Sequence, residues 1–143
     1  MARPQRAITG RKMRMRFLWV VILVLTVALT SAPAPAAQTS NFDRVQFNAA
    51  QQAGRPILVD IRASWCPICA AQEPIIERLS TLPEYKDLLI LRVDFDSQKD
   101  VVRTFSASSQ STLIAFHGTR EIGRSVGDTN PDSIAKLLRS TAG

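Results

Sequence analysis

The hydrophobic pattern of this 143-residue chain changes along its length between short continuous apolar runs and segments with helical spacing. Residues 57–61 and 88–93 are apolar except for one charged residue each, which predicts strands buried on both faces. Residues 112–116 and 121–126 predict two more strands, joined by a turn at Gly118. Helical spacing is found in residues 41–53, from Cys66 to Leu79, in residues 99–105 and from Asn130 onward. The predicted order α-β-α-β-α-β-β-α indicates an α/β domain.

The same pattern predicts which sides of the helices are buried. The first helix is expected to bury Phe42, Val45 and Ala49, which recur at helical spacing. Pro74 is expected to kink the helix that begins at Cys66, because proline removes a backbone hydrogen bond.

Charge is distributed unevenly along the chain. There are 18 Lys and Arg residues against 12 Asp and Glu. Six of the basic residues, and none of the acidic ones, precede residue 17. From residue 38 onward the 12 basic and 12 acidic residues cancel. The positive excess therefore belongs to an N-terminal leader, and the composition gives no support to nucleic-acid binding.

The leader has the layout of a secretory signal peptide. Its basic segment is followed by an apolar run, residues 17–30, and then by a stretch of Ser, Ala and Pro. Residues 1–36 are therefore predicted to be a signal peptide that is cleaved before Ala37, which would make the protein periplasmic or secreted. The alternative is an uncleaved membrane anchor, although the run is shorter than the roughly 20 residues that a spanning helix needs.

The only two cysteines in the sequence, Cys66 and Cys69, are three positions apart in the segment Trp-Cys-Pro-Ile-Cys. If this segment begins a helix, they lie on one face roughly 5–6 Å apart, within the range that a disulfide tolerates. The free N–H groups and positive dipole of a helix N-terminus favour a thiolate at the first cysteine. Cys66 is therefore expected to be the nucleophile and Cys69 the resolving thiol, with their disulfide as the redox centre and no other cofactor.

Three other interpretations of the cysteine pair are open. A zinc site needs about four ligands. The chain offers two cysteines and His117, which the hairpin pattern places at a surface turn far from them. A permanent structural disulfide would close too short a loop to restrict the unfolded chain strongly. An inert pair in a core is the third alternative, and the flanking Trp65 and Pro67 disfavour it.

The order of elements and the position of the cysteine pair resemble the thioredoxin superfamily. The resemblance covers residues 55–138. Residues 57–66 (ILVDIRASWC) resemble the strand that leads to that family's active site, and Pro74 falls where the family has a kinking proline. Residues 112–127 resemble its β-hairpin and the glycine that follows. The resemblance implies a thioredoxin fold, with a central mixed β-sheet flanked by helices, over a domain of residues 38–143.

The resemblance also implies roles for individual residues. Asp60 corresponds to a buried carboxylate that helps to take the proton from the second cysteine. An acid in an apolar strand is poorly solvated, so its pKa is expected to be raised, unless it reaches water at a strand end. Arg92 corresponds to a basic residue near this acid, so it is expected either to pair with Asp60 or to be a surface arginine. Substrate contacts are implied for Trp65, Pro67, Ile68, Ser111 and Thr112.

Two positions depart from the family pattern. Arg62 replaces an aromatic residue and is expected either to stabilise the Cys66 thiolate or to be solvated. Ser111 replaces a cis-proline that packs against the cysteines. A cis bond before a non-proline residue costs roughly 2.5–4 kcal/mol, so a trans bond is expected. Because the proline ring keeps metals off the sulfurs, its loss makes copper or an iron–sulfur cluster on Cys66 and Cys69 an alternative.

The expected function is that of a periplasmic thiol–disulfide oxidoreductase that acts on protein or small-thiol disulfides, with a membrane electron donor. Reduction is favoured over oxidation because strong oxidants of the superfamily tend to have histidine at the position of Ile68. The long first helix and the expected location outside the cytosol make the chain resemble a periplasmic thioredoxin or the C-terminal thioredoxin-like domain of the membrane electron transporter DsbD. The alternatives are a metal-binding module that uses both thiolates across a dimer, and a structural or chaperone-like domain with an idle disulfide.

Overall fold

A computed structural model of the protein describes residues 36–142. The signal peptide predicted for residues 1–36, and its alternative as a membrane anchor, therefore lie almost entirely outside the described residues. Among residues 36–142, none of the helices combines the length and the apolar character needed to cross a membrane.

The described residues form five strands, four α-helices and a short 3-10 helix at Pro83–Tyr85. The strands are β1 (Gln38–Asn41), β2 (Pro56–Arg62), β3 (Leu89–Asp94), β4 (Thr112–His117) and β5 (Arg120–Val126). The helices are α1 (Arg44–Gln52), α2 (Pro67–Ser80), α3 (Lys99–Thr104) and α4 (Pro131–Ser140). Apart from β1, each strand and α-helix is one that the hydrophobic pattern predicts.

The strands form one mixed sheet in the order β1-β3-β2-β4-β5. β3 runs parallel to β1 and β2, whereas β4 is antiparallel to β2 and β5. The predicted fold class, an α/β thioredoxin fold with a central mixed sheet flanked by helices, is thus confirmed. Thr112 pairs with Ile61 of β2 and with Val126 of β5. The end of β2, the start of β4 and the end of β5 therefore meet at one end of the sheet.

The first strand was missed by the sequence interpretation. Residues Gln38–Asn41 pair with β3 in parallel register, whereas the pattern predicts that this part of the chain leads directly into a helix. The strand is polar and mostly exposed, so it lacks the hydrophobic signal by which strands are found. Its stability comes from backbone pairing with β3 at the edge of the sheet.

The buried side of α1 also differs from the prediction. Val45 is 77% exposed and Ala49 is exposed, whereas Phe47 and Ala50 face the core. Phe42 is buried as predicted, but it precedes the helix. Because Phe42 lies before the N-cap residue Asp43, it is not part of the helical repeat, and the predicted stripe that was based on it does not apply to α1.

Hydrophobic clusters cover both faces of the sheet. Ile57, Val59 and Ile61 of β2 pack on the side of α1 and α3, while Leu58 packs on the side of α2 and α4. Because side chains alternate along a strand, Asp60 lies on the same side as Leu58, beneath α2. The fold thus places one acidic residue of its central strand under the helix that begins at the cysteines.

Candidate functional site

The disulfide joins the last residue of the short connection between β2 and α2, Cys66, to Cys69 in the first turn of α2. Cys66 is the N-cap of α2, with an extended backbone, and Pro67 occupies the first helical position, where a missing N–H is tolerated. Cys66 and Cys69 form a disulfide with their Cα atoms 5.3 Å apart, in agreement with the spacing argument. The N–H of Cys69 donates to Sγ of Cys66 at 3.0 Å. In the reduced protein this N–H and the helix terminus favour a thiolate at Cys66.

The two cysteines are buried beside exposed apolar side chains. Cys66 and Cys69 are 2% and 3% exposed, and they pack with Ala63. The neighbouring Trp65 and Ile68 are 60% and 40% exposed, unusually high for large apolar residues. The site therefore combines a shielded disulfide with an apolar surface that a second molecule can cover.

The ring of Trp65 is held in place by a hydrogen bond. Its Nε1 donates to the Asp96 carboxylate at 2.7 Å. Asp96 follows β3, in the loop next to the cysteines, and the sequence interpretation did not identify it. The contact fixes one flank of the exposed apolar surface.

Asp60 is the acidic group buried beneath α2. It is 5% exposed, and burial raises its pKa to about 6 from an ordinary value of 3.8. The positive charges of Arg62 and, to a lesser extent, Arg92 oppose this rise. The predicted rise in the pKa of this acid is thus confirmed. A carboxyl that titrates near neutral pH can both accept and release a proton under physiological conditions.

The prediction that Arg92 pairs with Asp60 was wrong. Arg92 is directly opposite Asp60 in the β2–β3 register, but its guanidinium forms ion pairs with Glu73 at 3.2 Å and Glu77 at 3.6 Å. These two glutamates lie on α2 and reach the arginine from above. Arg92 therefore acts on Asp60 through its charge rather than through an ion pair.

Arg62 takes neither of the two positions expected for it. Its guanidinium donates to both carboxylate oxygens of Glu73 at 2.9 Å, so it is neither against Cys66 nor freely solvated. This hydrogen bond lowers the pKa of Glu73 and keeps that residue ionised. A polar cleft of about 670 Å³ is lined in part by Arg62, Glu73 and Arg92. We call Arg62, Glu73 and Arg92 the charged network. Its three residues act on Asp60 through their charges and also line the cleft, which is open to solvent.

The loop before β4 differs from the family pattern as predicted. None of the peptide bonds of residues 36–142 is cis, so the bond before Ser111 is trans. Ser111 is 6% exposed and has a φ of 56°, a left-handed conformation that serine rarely adopts. Its hydroxyl donates to the Gln110 carbonyl at 2.6 Å, and the Thr112 hydroxyl donates to the Ser109 carbonyl at 2.8 Å. Local hydrogen bonds therefore hold the loop that proline would otherwise shape.

His117 lies at the opposite end of the sheet from the cysteines. It pairs with Pro56 at the start of β2, and its Nδ1 contacts the Thr141 carbonyl at 2.8 Å. The residue is half-buried and ties β4 to the end of α4, so the expected surface turn residue has a packing role. Among residues 36–142, no three His, Cys, Asp or Glu side chains are grouped closely enough to hold a metal ion.

Comparisons with known proteins agree with this geometry. The family model described as thioredoxin matches residues 36–140. Thioredoxin of Chlamydia trachomatis is 39% identical over 82 residues, which are 57% of this chain and 78% of that protein. Thioredoxin-2 of Saccharomyces cerevisiae is 34% identical over 84 residues, 59% of this chain and 78% of that protein. The crystal structure of Trxlp from Edwardsiella tarda has a TM-score of 0.69 at 38% identity, covering 71% of this chain and 98% of that one.

The first prediction concerns the buried charge of Asp60. Because the pKa of Asp60 is raised in the folded protein, ionisation of this carboxyl lowers the free energy of unfolding. This destabilisation is absent below about pH 4 and reaches its full size above about pH 6. Asp60→Asn should therefore raise the free energy of unfolding at about pH 8 by on the order of 2–3 kcal/mol, and by much less at about pH 4. Urea denaturation of the oxidised proteins at both pH values measures this. An equal gain at both, or a loss at the higher pH, would contradict it.

The second prediction concerns the backbone of Ser111. Proline requires a φ near −65°, whereas Ser111 has a φ of 56°, so Ser111→Pro should destabilise the protein by about 2 kcal/mol or more. Ser111→Gly is the control, because glycine adopts positive φ freely, and it should stay within about 1 kcal/mol of the wild type. Thermal unfolding of both variants measures the difference. Equal stability of the two would show that this loop has another conformation.

Proposed function

The chain belongs to the thioredoxin family and is a thiol–disulfide oxidoreductase, and we propose that it reduces protein disulfides outside the cytosol. The observation that supports thiol–disulfide exchange most directly is the position of Cys66, which caps α2 and forms a disulfide with Cys69. The preference for reduction comes from the sequence, which has Ile68 where strong oxidants of the superfamily tend to have histidine. A helix N-terminus stabilises the thiolate, and the thiolate is the form of cysteine that attacks disulfides.

In the first proposed step, the Cys66 thiolate attacks one sulfur of a substrate disulfide. A bond forms between Cys66 and that sulfur, and the substrate's own S–S bond breaks. The second substrate sulfur leaves as a thiolate and is protonated by solvent. The product is a mixed disulfide between the protein and its substrate.

In the second proposed step, Cys69 resolves the mixed disulfide. The Asp60 carboxylate takes the proton of Cys69, whose sulfur then attacks Sγ of Cys66 and releases the remaining substrate sulfur as a thiolate. The protein keeps the Cys66–Cys69 disulfide, and two electrons have passed to the substrate. Asp60 suits this role because a base with a pKa of about 6 is largely ionised at neutral pH and can still receive a proton.

The proposed docking surface surrounds the disulfide. Trp65, Ile68 and Val126 are exposed by 60%, 40% and 60%, and the sheet register brings the end of β5 to the end of β2. Exposed apolar side chains of this size favour contact with another protein. Pro67 is exposed at the same end of the sheet and extends the proposed surface, whereas Ser111 and Thr112 are only 6% and 1% exposed and support it from beneath.

Location outside the cytosol is proposed from the N-terminal sequence. A basic segment, an apolar run and small residues precede the described domain, in the order of a secretory signal. In the periplasm the oxidised Cys66–Cys69 pair must be reduced again after each turnover, because thiols there are not kept reduced by the cytosolic systems. The proposal therefore includes a membrane electron donor that supplies two electrons to this disulfide.

Metal binding by the same two thiolates is the alternative proposal. The lack of a proline ring at Ser111 favours access of copper or an iron–sulfur cluster to Cys66 and Cys69. Among residues 36–142 a metal would find only these two sulfur ligands, so a second copy of the chain would have to supply the others.

The third prediction tests the reductase directly. The purified protein, reduced beforehand with dithiothreitol, should reduce insulin disulfides, and Cys66→Ser should abolish this reaction. Cys69→Ser is the matched variant, because it keeps the nucleophile and removes the resolving thiol. Produced with its leader, Cys69→Ser should accumulate protein partners joined to Cys66, detected on non-reducing gels and identified by mass spectrometry.

The outcomes of this experiment separate the alternatives. Stoichiometric copper or iron in the purified protein together with no insulin reduction would contradict the reductase and favour the metal-binding module. Trapping that persists in Cys66→Ser would show that the nucleophile has been misassigned.

A further inference from the structure

Gln72 is a polar residue on the buried side of α2. It lies one helical turn after Cys69 and is 1% exposed, on the side of the helix that also buries Ile76. A buried amide in a position that suits leucine or isoleucine needs a reason, because leaving polar atoms without partners is unfavourable.

The amide nitrogen of Gln72 joins α2 to two loops. Nε2 donates to the Asp128 carbonyl at 2.9 Å and to the Ser111 carbonyl at 3.4 Å. The Ser111 carbonyl also accepts from the N–H of Gly127 at 2.9 Å, so the two loops are joined to each other. Both acceptors are carbonyl groups, so only the NH₂ side of the amide can face them.

Both loops lie at the end of the sheet that carries the disulfide. Ser111 immediately precedes Thr112, which is opposite Ile61 at the end of β2, and Gly127 follows Val126, which is opposite Thr112. The exposed Val126, the last residue of β5, therefore directly precedes the loop that Gln72 holds from beneath. The position of this part of the docking surface relative to Cys66 depends on that contact.

The other half of the amide has no partner among the described residues. Oε1 of Gln72 is buried and accepts no hydrogen bond from residues 36–142. A leucine here would fill similar space without an unsatisfied oxygen, so packing alone does not explain the glutamine. The directional hydrogen bonds that Nε2 donates to the two loops explain why this residue is a glutamine.

We propose that Gln72 is a positioning residue for protein substrates, holding the Ser111 loop and the Gly127–Asp128 loop against the helix that carries the cysteines. This inference rests on the proposed reductase function and adds to it a residue beneath the surface. The contact adds to the local hydrogen bonds that hold the Ser111 loop, where Ser111 has a φ of 56° and proline is absent.

The test compares a large and a small substrate in Gln72→Leu. Insulin is a protein and is expected to contact the proposed docking surface, whereas 5,5′-dithiobis(2-nitrobenzoate) needs only the Cys66 thiolate. Loss of hydrogen bonds worth about 1 kcal/mol should raise KM for insulin by roughly three- to tenfold, while kcat and the rate with the small disulfide stay near those of the wild type. The thermal midpoint should be unchanged or higher, because the unsatisfied oxygen has gone.

Gln72→Glu is the second variant, since it keeps the shape of the side chain and replaces the donor by an acceptor. Because burial raises the pKa of an acid at this position, the comparison starts at a pH high enough to ionise it, where the variant should impair insulin reduction at least as much as Gln72→Leu. As the pH is lowered, the protonated acid can donate again, so the variant's activity relative to wild type at the same pH should recover. A defect with no recovery would overturn the role of the donor.

Hydrogen exchange separates this inference from the proposed function. In Gln72→Leu, the backbone N–H groups of Thr112 and Gly127 should exchange faster, while those in the centre of the sheet are unchanged. Unchanged exchange, or equal loss of activity towards insulin and the small disulfide, would overturn the assignment of Gln72. A wild type that does not reduce insulin would instead contradict the reductase, whatever the exchange rates are.

Discussion

The burial of one carboxylate in the central strand is the constraint on which the site depends. β2 is paired on both sides, by β3 and β4, so the backbone of Asp60 cannot shift to bring its side chain to water. The alternation of β2 directs that side chain to the face covered by α2, the helix that Cys66 begins. The same pairing therefore fixes the acid, the disulfide and the helix in one arrangement.

The charged network helps to keep the pKa of Asp60 close to neutral pH. Burial raises the pKa of the acid, whereas the charges of Arg62 and Arg92 lower it, so the pKa is about 6. Glu73 partly neutralises both arginines through ion pairs of 2.9 and 3.2 Å. An aromatic residue at position 62, which the family pattern has there, would carry no charge and would not lower the pKa of Asp60 in this way. Arg62 is thus the larger of the two positive charges that lower the pKa of Asp60.

Much of this arrangement could be predicted from the sequence, and the limits have physical causes. The strands around Asp60 are continuous apolar runs, and the helix from Cys66 to Leu79 has apolar residues at helical spacing, so both signals are local. β1 is polar and forms only because β3 offers an edge, which no local pattern contains. The partners of Arg92 and the loops joined by Gln72 are long-range contacts. Only an unexpected polar residue one turn after Cys69 in an apolar stripe could have indicated Gln72.

The most direct test of this account is the pH dependence of mixed-disulfide resolution. A mixed disulfide between Cys66 and a small aromatic thiol, which absorbs when released, can be followed by stopped flow from about pH 5 to 8. If Asp60 takes the proton of Cys69, the wild-type rate should rise with an inflection near the pKa of about 6, and Asp60→Asn should lack that inflection and resolve more slowly. The same inflection in Asp60→Asn would contradict the central role of the buried acid.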